Sequence, residues 1–396
     1  MINRNESRSK NIQFLMDYVK NQYGSKDNQL RQNNWVSFAG LPGIFVRHLP
    51  KKDLDNVPFI ADLDREMWAS IFQMDLNEVY TDPDAYLEFE LRKKVYAYQN
   101  FFDDNPLTDA ITMWFGVGYC ESLLGIPQEP AQSGHEPWVG KISIIKEKAD
   151  LDKIPIPDFY NFASAKLVHI FYARIMEQVG EDFKVIFPEW DFGPFGIATH
   201  LRGMENLSID FIDDPVFVHK LMKFLLRVKK SWSLERAKFL GVAPQPLYIA
   251  NDDVNVPIIS PKAYREFILP YEKEISLFHG GIDYWHSCGR IDPVLKDIME
   301  IPSLKMVHIS PWTDIEKAVS VANHDIILEI VLNPVDDVEK ATSQEMKEKL
   351  RRIKDCCQGL HYTVRADAFQ IVSTLENDLK QIKQWIEIAR EELSYK

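Results

Sequence analysis

His286 and Cys288 stand two residues apart in Ile282-Asp-Tyr-Trp-His-Ser-Cys-Gly-Arg290, just ahead of the glycine that breaks a short aromatic run. In an extended strand that spacing puts both side chains on one face. An imidazole and a thiol side by side at a strand end make half of a zinc site. The pair also reads as a hydrogen-bonded histidine beside a packed cysteine, because cysteine is among the most often buried residue types. The two readings part on whether further ligands and acids gather at neighbouring strand ends.

Several candidates do. Pro188-Glu-Trp-Asp-Phe-Gly193 follows an apolar run and brings Glu189 and Asp191, and Asn251-Asp-Asp-Val-Asn255 follows another with adjacent Asp252 and Asp253. Asp252, Asp253 and Glu189 are candidate catalytic acids; Asp252 and Asp253 serve equally well as turn caps. His308 ends a further run and reads as a hydrogen-bonded core residue, and Arg365 and Asp367 follow the last run. Glu329 lies among Ile326, Ile327, Leu328, Ile330 and Val331. A carboxylate in so apolar a strand needs a partner, a metal or a proton. Trp190 and Trp285 flank these groups and, with Arg365, are expected to wall a substrate pocket. Cys120, Cys356 and Cys357 read as structural, and the 4 cysteines are too few for a disulfide framework.

The elements that would carry these residues change texture near residue 110. Beyond it, apolar runs at Ile111–Phe115, Val185–Phe187, Leu247–Ala250, Asp283–His286, Lys305–Ile309, Asp325–Leu332 and His361–Val364 alternate with amphipathic helices. One helix is expected over 209–240, opened by Asp214-Pro215 and closed by Gly241. Ser260-Pro261 caps the next, which Pro270 should end or kink. Asp292-Pro293 opens another, and more follow at 313–323, 343–358 and 375–393. Continuous apolar strands each followed by a helix predict a parallel sheet covered on its outer face. Their number favours an eight-stranded (β/α)8 TIM barrel over a doubly wound sheet. Neither a Gly-x-Gly-x-x-Gly stretch after the first strand nor a Gly-Lys-Ser/Thr phosphate loop is present.

Ahead of the barrel come a helix over 7–23, a loop-rich stretch with a turn at Leu41-Pro-Gly43, and a helix opened by Asp82-Pro83. Residues 1–105 therefore read as a helical N-terminal extension and 106–396 as the barrel. With 396 residues, 45% of them hydrophobic and 27% charged, the composition suits a large globular core. The net charge of -13 argues against nucleic-acid and anionic-membrane partners. A polar N-terminus and the lack of any bilayer-length apolar run lead to a cytoplasmic expectation.

From about Trp138 onward the chain resembles the uroporphyrinogen decarboxylase superfamily. The matching segments are Pro137-Trp138-Val139, Gly193-Pro-Phe-Gly196, Arg202-Gly-Met-Glu-Asn206 and Asp213-Asp-Pro215. They continue with Asp252-Asp253, Ile259-Ser-Pro-Lys-Ala-Tyr-Arg-Glu-Phe267, Pro270-Tyr271 and His286-Ser-Cys-Gly289. The arginine-rich signature of true uroporphyrinogen decarboxylases is missing, and Arg47 stands alone near a turn. The last strand reads Tyr362-Thr-Val-Arg-Ala-Asp-Ala368 where those enzymes carry His-Gly. The His-x-Cys motif instead resembles that of zinc methyltransferases which exchange methyl groups with a corrinoid protein. Their third ligand, a cysteine near the last strand, is absent, which leaves Asp367 or Glu329 to replace it.

The resemblance implies a zinc-dependent methyltransferase moving a methyl group between a small-molecule donor or acceptor and a corrinoid (methylcobalamin) carried on a separate protein. No Asp-x-His-x-x-Gly corrinoid-binding stretch occurs in this chain. A metal-free decarboxylase is the alternative, with Asp252 or Asp253 as acid and Arg202 or Arg365 holding a carboxylate. A non-catalytic small-molecule binding barrel is the third reading. A homodimer is consistent with the resemblance.

Overall fold

The computed structural model describes residues 4–37, 47–132 and 134–394; the turn expected at Leu41-Pro-Gly43 lies outside them. Eight parallel strands position the site: β1 Phe59–Leu63, β2 Ala110–Thr112, β3 Lys184–Ile186, β4 Leu247–Ala250, β5 Ile282–His286, β6 Leu304–Ile309, β7 Ile327–Leu332 and β8 Tyr362–Phe369. Six of them form one curled sheet in the order β1-β8-β7-β6-β5-β4, while β2 and β3 pair with each other. A parallel bridge from Phe192 to Ala250 ties the end of β3 to β4. The fold is α/β and TIM-barrel-like, with the ladder open between β1 and β2.

That opening has a chemical cause. The backbone N–H of Phe59 donates to Asp104 Oδ2 at 3.0 Å and that of Ala61 to Asp103 Oδ2 at 2.9 Å. Two carboxylates thus satisfy the edge donors that a neighbouring strand would otherwise take. Burial pushes the Asp103 carboxyl up to about 7, despite the N–H of Ala61 and the charge of Arg31.

β1 comes from the stretch that the sequence reading gave to the N-terminal extension. Its apolar run is short and sits in a loop-rich context, and the helix that follows it, Arg65–Phe72, is only 8 residues long. The flanking helices match their expected places. Arg4–Tyr23 packs against Pro83–Asn100, and the buried Arg8 binds Glu78, Asp82 and Glu88 at 3.0, 2.8 and 3.1 Å.

Three expected helices differ in detail. The 209–240 stretch divides into Met204–Asp213 and Pro215–Leu240, because Asp214 precedes a proline and leaves helical geometry (φ -150°, ψ 69°). Its carboxylate then caps the second helix through the Phe217 N–H at 3.0 Å. Pro270 does not end its helix; the turn before it widens to a π-helix over Tyr264–Ile268. Asp292 does not cap a long helix, since Arg290 holds its carboxylate at 2.7 and 3.0 Å, and only the one-turn Leu295–Ile298 forms. Among the described residues no helix is long and apolar enough to cross a membrane.

Candidate metal centre

Strand alternation sends Tyr284 and His286 of β5 to one face and Asp283 and Trp285 to the other. The register between β4 and β5 pairs Ala250 with His286. Asp252 therefore stands two residues past its strand end, as Cys288 does past the neighbouring one. The two following loops are then laced together. Asn251 N–H donates to the His286 carbonyl at 2.8 Å, Cys288 N–H to Asp252 Oδ1 at 3.0 Å, and Ser287 Oγ to the Val254 carbonyl at 2.9 Å. A Cβ on Gly289 would collide with the Asn255 side chain, so this close approach requires glycine.

The result is a cluster of three different donors. His286 Nε2 lies 3.1 Å from Cys288 Sγ and 3.1 Å from Asp252 Oδ1. The three donor atoms all fall within 4.8 Å of one another. Tetrahedral zinc at ordinary bond lengths would set such nitrogen, sulfur and oxygen ligands about 3.4–3.6 Å apart. The donor types and the spacing both suit that ion. Asp252 and Cys288 are exposed, so the open side faces solvent, whereas His286 is buried.

Behind His286 the support is fully interior. Its Nδ1 lies 3.0 Å from His308 Nδ1, which is also 2.9 Å from the Tyr284 hydroxyl. Burial, followed by the charges of His286 and Arg47, holds His308 well below the usual imidazole range. A neutral His308 can accept from His286 Nδ1–H, which leaves His286 Nε2 free as a ligand. Burial works against charge on His286, but Cys288 and Asp252 outweigh it and push that imidazole up to about 10. Asp252 moves the opposite way: although its side chain is 45% exposed, partial desolvation between the two loops opposes its charge, and the ion pair with His286 more than offsets this.

The two carboxylates expected as third ligand are elsewhere. Glu329 accepts from the Tyr284 hydroxyl, from Arg47 Nε at 3.0 Å and from Arg365 Nε at 2.8 Å. Burial opposes its charge, and the guanidiniums of Arg47 and Arg365 outweigh burial to hold it below the usual range. Asp367 accepts from Arg47 Nη2 at 2.8 Å. Glu329 thus reaches the cluster only through Tyr284 and His308. Arg365 is spent inside this network rather than lining a pocket, and Arg47 is far from alone.

The remaining predicted residues also find other work. Glu189 is bound by Trp190 N–H at 2.8 Å, Ser233 Oγ at 2.9 Å and Arg236 at 3.5 Å. Asp253 accepts from Thr199 Oγ1 at 3.0 Å. Arg202 binds Asp210 at 2.7 Å. Trp190 packs beside Trp232 in the core. Trp285 faces away from His286, and its Nε1 donates to Glu272 Oε2 at 3.3 Å. Neither tryptophan walls a pocket beside the cluster, because strand alternation and core packing turn both away. Cys120 is buried 3.9 Å from Asp191.

Glu272 anchors the Asp252 loop from below. It accepts from Asn251 Nδ2 at 2.9 Å and Tyr264 Oη at 2.5 Å as well as from Trp285. Burial pushes its carboxyl up to about 7 against these donors. An unfolded glutamate titrates near 4.3. Between those values the folded chain keeps a proton that the unfolded chain has released. Stability from this group is therefore present at low pH, falls as pH rises toward 7, and is flat above it. In urea melts at pH 5 and pH 8, wild type is expected to lose roughly 2–4 kcal/mol more than Glu272→Gln. Equal losses would show that Glu272 is ionised in the fold.

With this geometry in hand, the comparisons define the class. The uroporphyrinogen decarboxylase (URO-D) family matches residues 45–391, and the chain belongs to that family. A methyltransferase from Methanosarcina mazei superposes with a TM-score of 0.64 at 14% identity, covering 85% of this chain and 94% of that one. That likeness is one of fold. No curated protein matches the sequence.

Proposed function

We propose that this chain is a zinc-dependent methyltransferase that exchanges a methyl group between a small molecule and a corrinoid carried on a separate protein. The observation that carries the reading is the Asp252–His286–Cys288 cluster at adjacent strand ends. The M. mazei methyltransferase of similar fold lends support. We also read the eight strands as one (β/α)8 barrel, with this cluster where such barrels hold their chemistry.

In this reading Asp252, His286 and Cys288 would hold the ion, three protein donors as in zinc sites that keep a place for substrate. Zinc there supplies Lewis-acid polarisation of the atom that carries or receives the methyl group. The chain's own groups set the stage. His308 fixes the His286 ring, the Cys288 N–H orients Asp252, and the exposed side of the cluster admits the partner. The decarboxylase alternative needs arginines available to hold carboxylates, yet Arg202 and Arg365 already bind Asp210 and Glu329.

The test is elemental analysis of purified protein followed by methyl transfer to free reduced cobalamin. About one zinc per chain is expected. Chelation should abolish transfer and zinc should restore it. Protein that binds no metal after reconstitution under reducing conditions would overturn the proposal.

A further inference from the structure

A second pair of groups on the same side of the fold has no part in holding metal. Glu121 lies just beyond the end of β2, in the turn of helix Tyr119–Ser122, and is 0% exposed. Its Oε1 is 2.6 Å from Nδ1 of His200, in the last turn of helix Pro194–Arg202, which follows β3. The His200 side chain is 27% exposed, and its Nε2 has no hydrogen-bond partner among the described residues. A buried carboxylate thus fixes one ring nitrogen and leaves the other open to solvent.

The pair borders the metal cluster through two short links. Thr199, next to His200, donates to Asp253, and Asp253 is bonded to Asp252. Helix and loop are in close contact there. A Cβ on Gly193 would strike the Asn251 side chain, and one on Gly196 would lie 3.1 Å from Asp253 Oδ2.

We infer that His200 is the proton donor of the reaction, positioned by Glu121, and that the methyl donor is a neutral methyl ether. The inference rests on the methyltransferase reading above and names its substrate class. The argument is one of charge. An ether oxygen that loses its methyl group leaves as a strongly basic alkoxide or phenoxide, whereas a quaternary ammonium leaves as a neutral amine. Only the first needs an acid at hand. In the step, the acceptor's electron pair bonds to the methyl carbon and the C–O pair stays on oxygen. The proton on His200 Nε2 passes to that oxygen, leaving neutral imidazole against Glu121. The acceptor is a reduced corrinoid, a two-electron nucleophile.

The surroundings favour the charged ring. Burial opposes the imidazolium, but the hydrogen bond and charge of Glu121, then Asp253 and Asp252, outweigh it and raise the pKa of His200. The helix C-terminus adds to the same side.

Two measurements test this on the whole chain. In NMR titration of ring-labelled histidine, His200 is expected to titrate above the free value of about 6.5 and to drop in Glu121→Gln. A His200 that is neutral at pH 7 overturns the inference without any assay. In single-turnover transfer to free reduced cobalamin, His200→Gln is expected to slow methoxybenzene by about 10²–10⁴-fold. It should slow 4-nitromethoxybenzene, whose leaving group needs little help, by less than about tenfold, with zinc content unchanged. Equal slowing of both ethers would make His200 structural and overturn the assignment. Transfer from tetramethylammonium but from neither ether would overturn the inference and keep the methyltransferase reading. No transfer from any donor by zinc-loaded wild type would overturn both.

Discussion

Asp252→Asn is expected to lower zinc affinity more than about 100-fold, beyond the 10–100-fold range seen when only the partner of a ligand is changed. The substitution is gentle on the fold. Asp252 is exposed, and an asparagine Oδ1 can still accept the Cys288 N–H that the carboxylate accepts at 3.0 Å. What it removes is the anionic charge of one of the three proposed ligands, 3.1 Å from His286 Nε2. Cys288→Ser should do the same by exchanging a soft thiolate for a hydroxyl that zinc binds poorly. A competition titration against a chromophoric chelator, run on both variants, reads the effect directly. Wild-type affinity in Asp252→Asn would remove this carboxylate from the ligand set. Loss in Cys288→Ser alone would then leave His286 and Cys288 with a different third donor.

The register that brings Asp252 beside His286 and Cys288 was present in the sequence. Leu247–Ala250 and Asp283–His286 were both recognisable as strands, and in a parallel sheet consecutive strands are usually neighbours. Counting two residues past each end reaches Asp252 and Cys288. The resemblance points instead to the last strand, where the related enzymes place a cysteine, and so to Asp367 on it and Glu329 on the strand beside it. Glu329 has the partners that a carboxylate in so apolar a strand needs. Its partners are Arg47 and Arg365, far away in sequence, and no local pattern reports a pairing across 282 residues. The tryptophans show the same limit. Alternation along β5 already turns Trp285 away from His286, but whether the outer face meets a pocket or a helix is a tertiary fact. β1 was hidden for a related reason: its edge is completed by Asp103 and Asp104 rather than by a strand. The Glu121–His200 pair had no sequence signal beyond its residue types, since 79 residues separate its members.

Glu329→Leu is expected to cost about 3–5 kcal/mol of stability, because it strips one partner from a buried ionic network and leaves cations behind. Glu329 is 2% exposed and binds both Arg47 and Arg365, themselves 1% and 2% exposed. Asp367 continues to hold Arg47 at 2.8 Å, and Asp62 lies only 3.7 Å from Arg365, so Arg365 bears most of the loss. Adding Arg365→Met should therefore recover much of the stability, since removing both members of a buried pair is often close to neutral. The metal site should not recover with it. Glu329 accepts from the Tyr284 hydroxyl, which meets His308, which meets His286. With Glu329 taking the Tyr284 proton, the His308 Nδ1 lone pair is left to His286. Without the carboxylate the Tyr284 hydroxyl can turn to donate to His308 and displace His286, so zinc affinity is expected to stay about 10–100-fold down in the double variant. Urea unfolding and chelator competition on the single and double variants separate the two roles. Parallel recovery of stability and zinc binding would mean that Glu329 serves the cluster only by keeping the interior folded. Recovery of stability alone would identify it as the acceptor that keeps the Tyr284 hydroxyl from competing with His286 for His308.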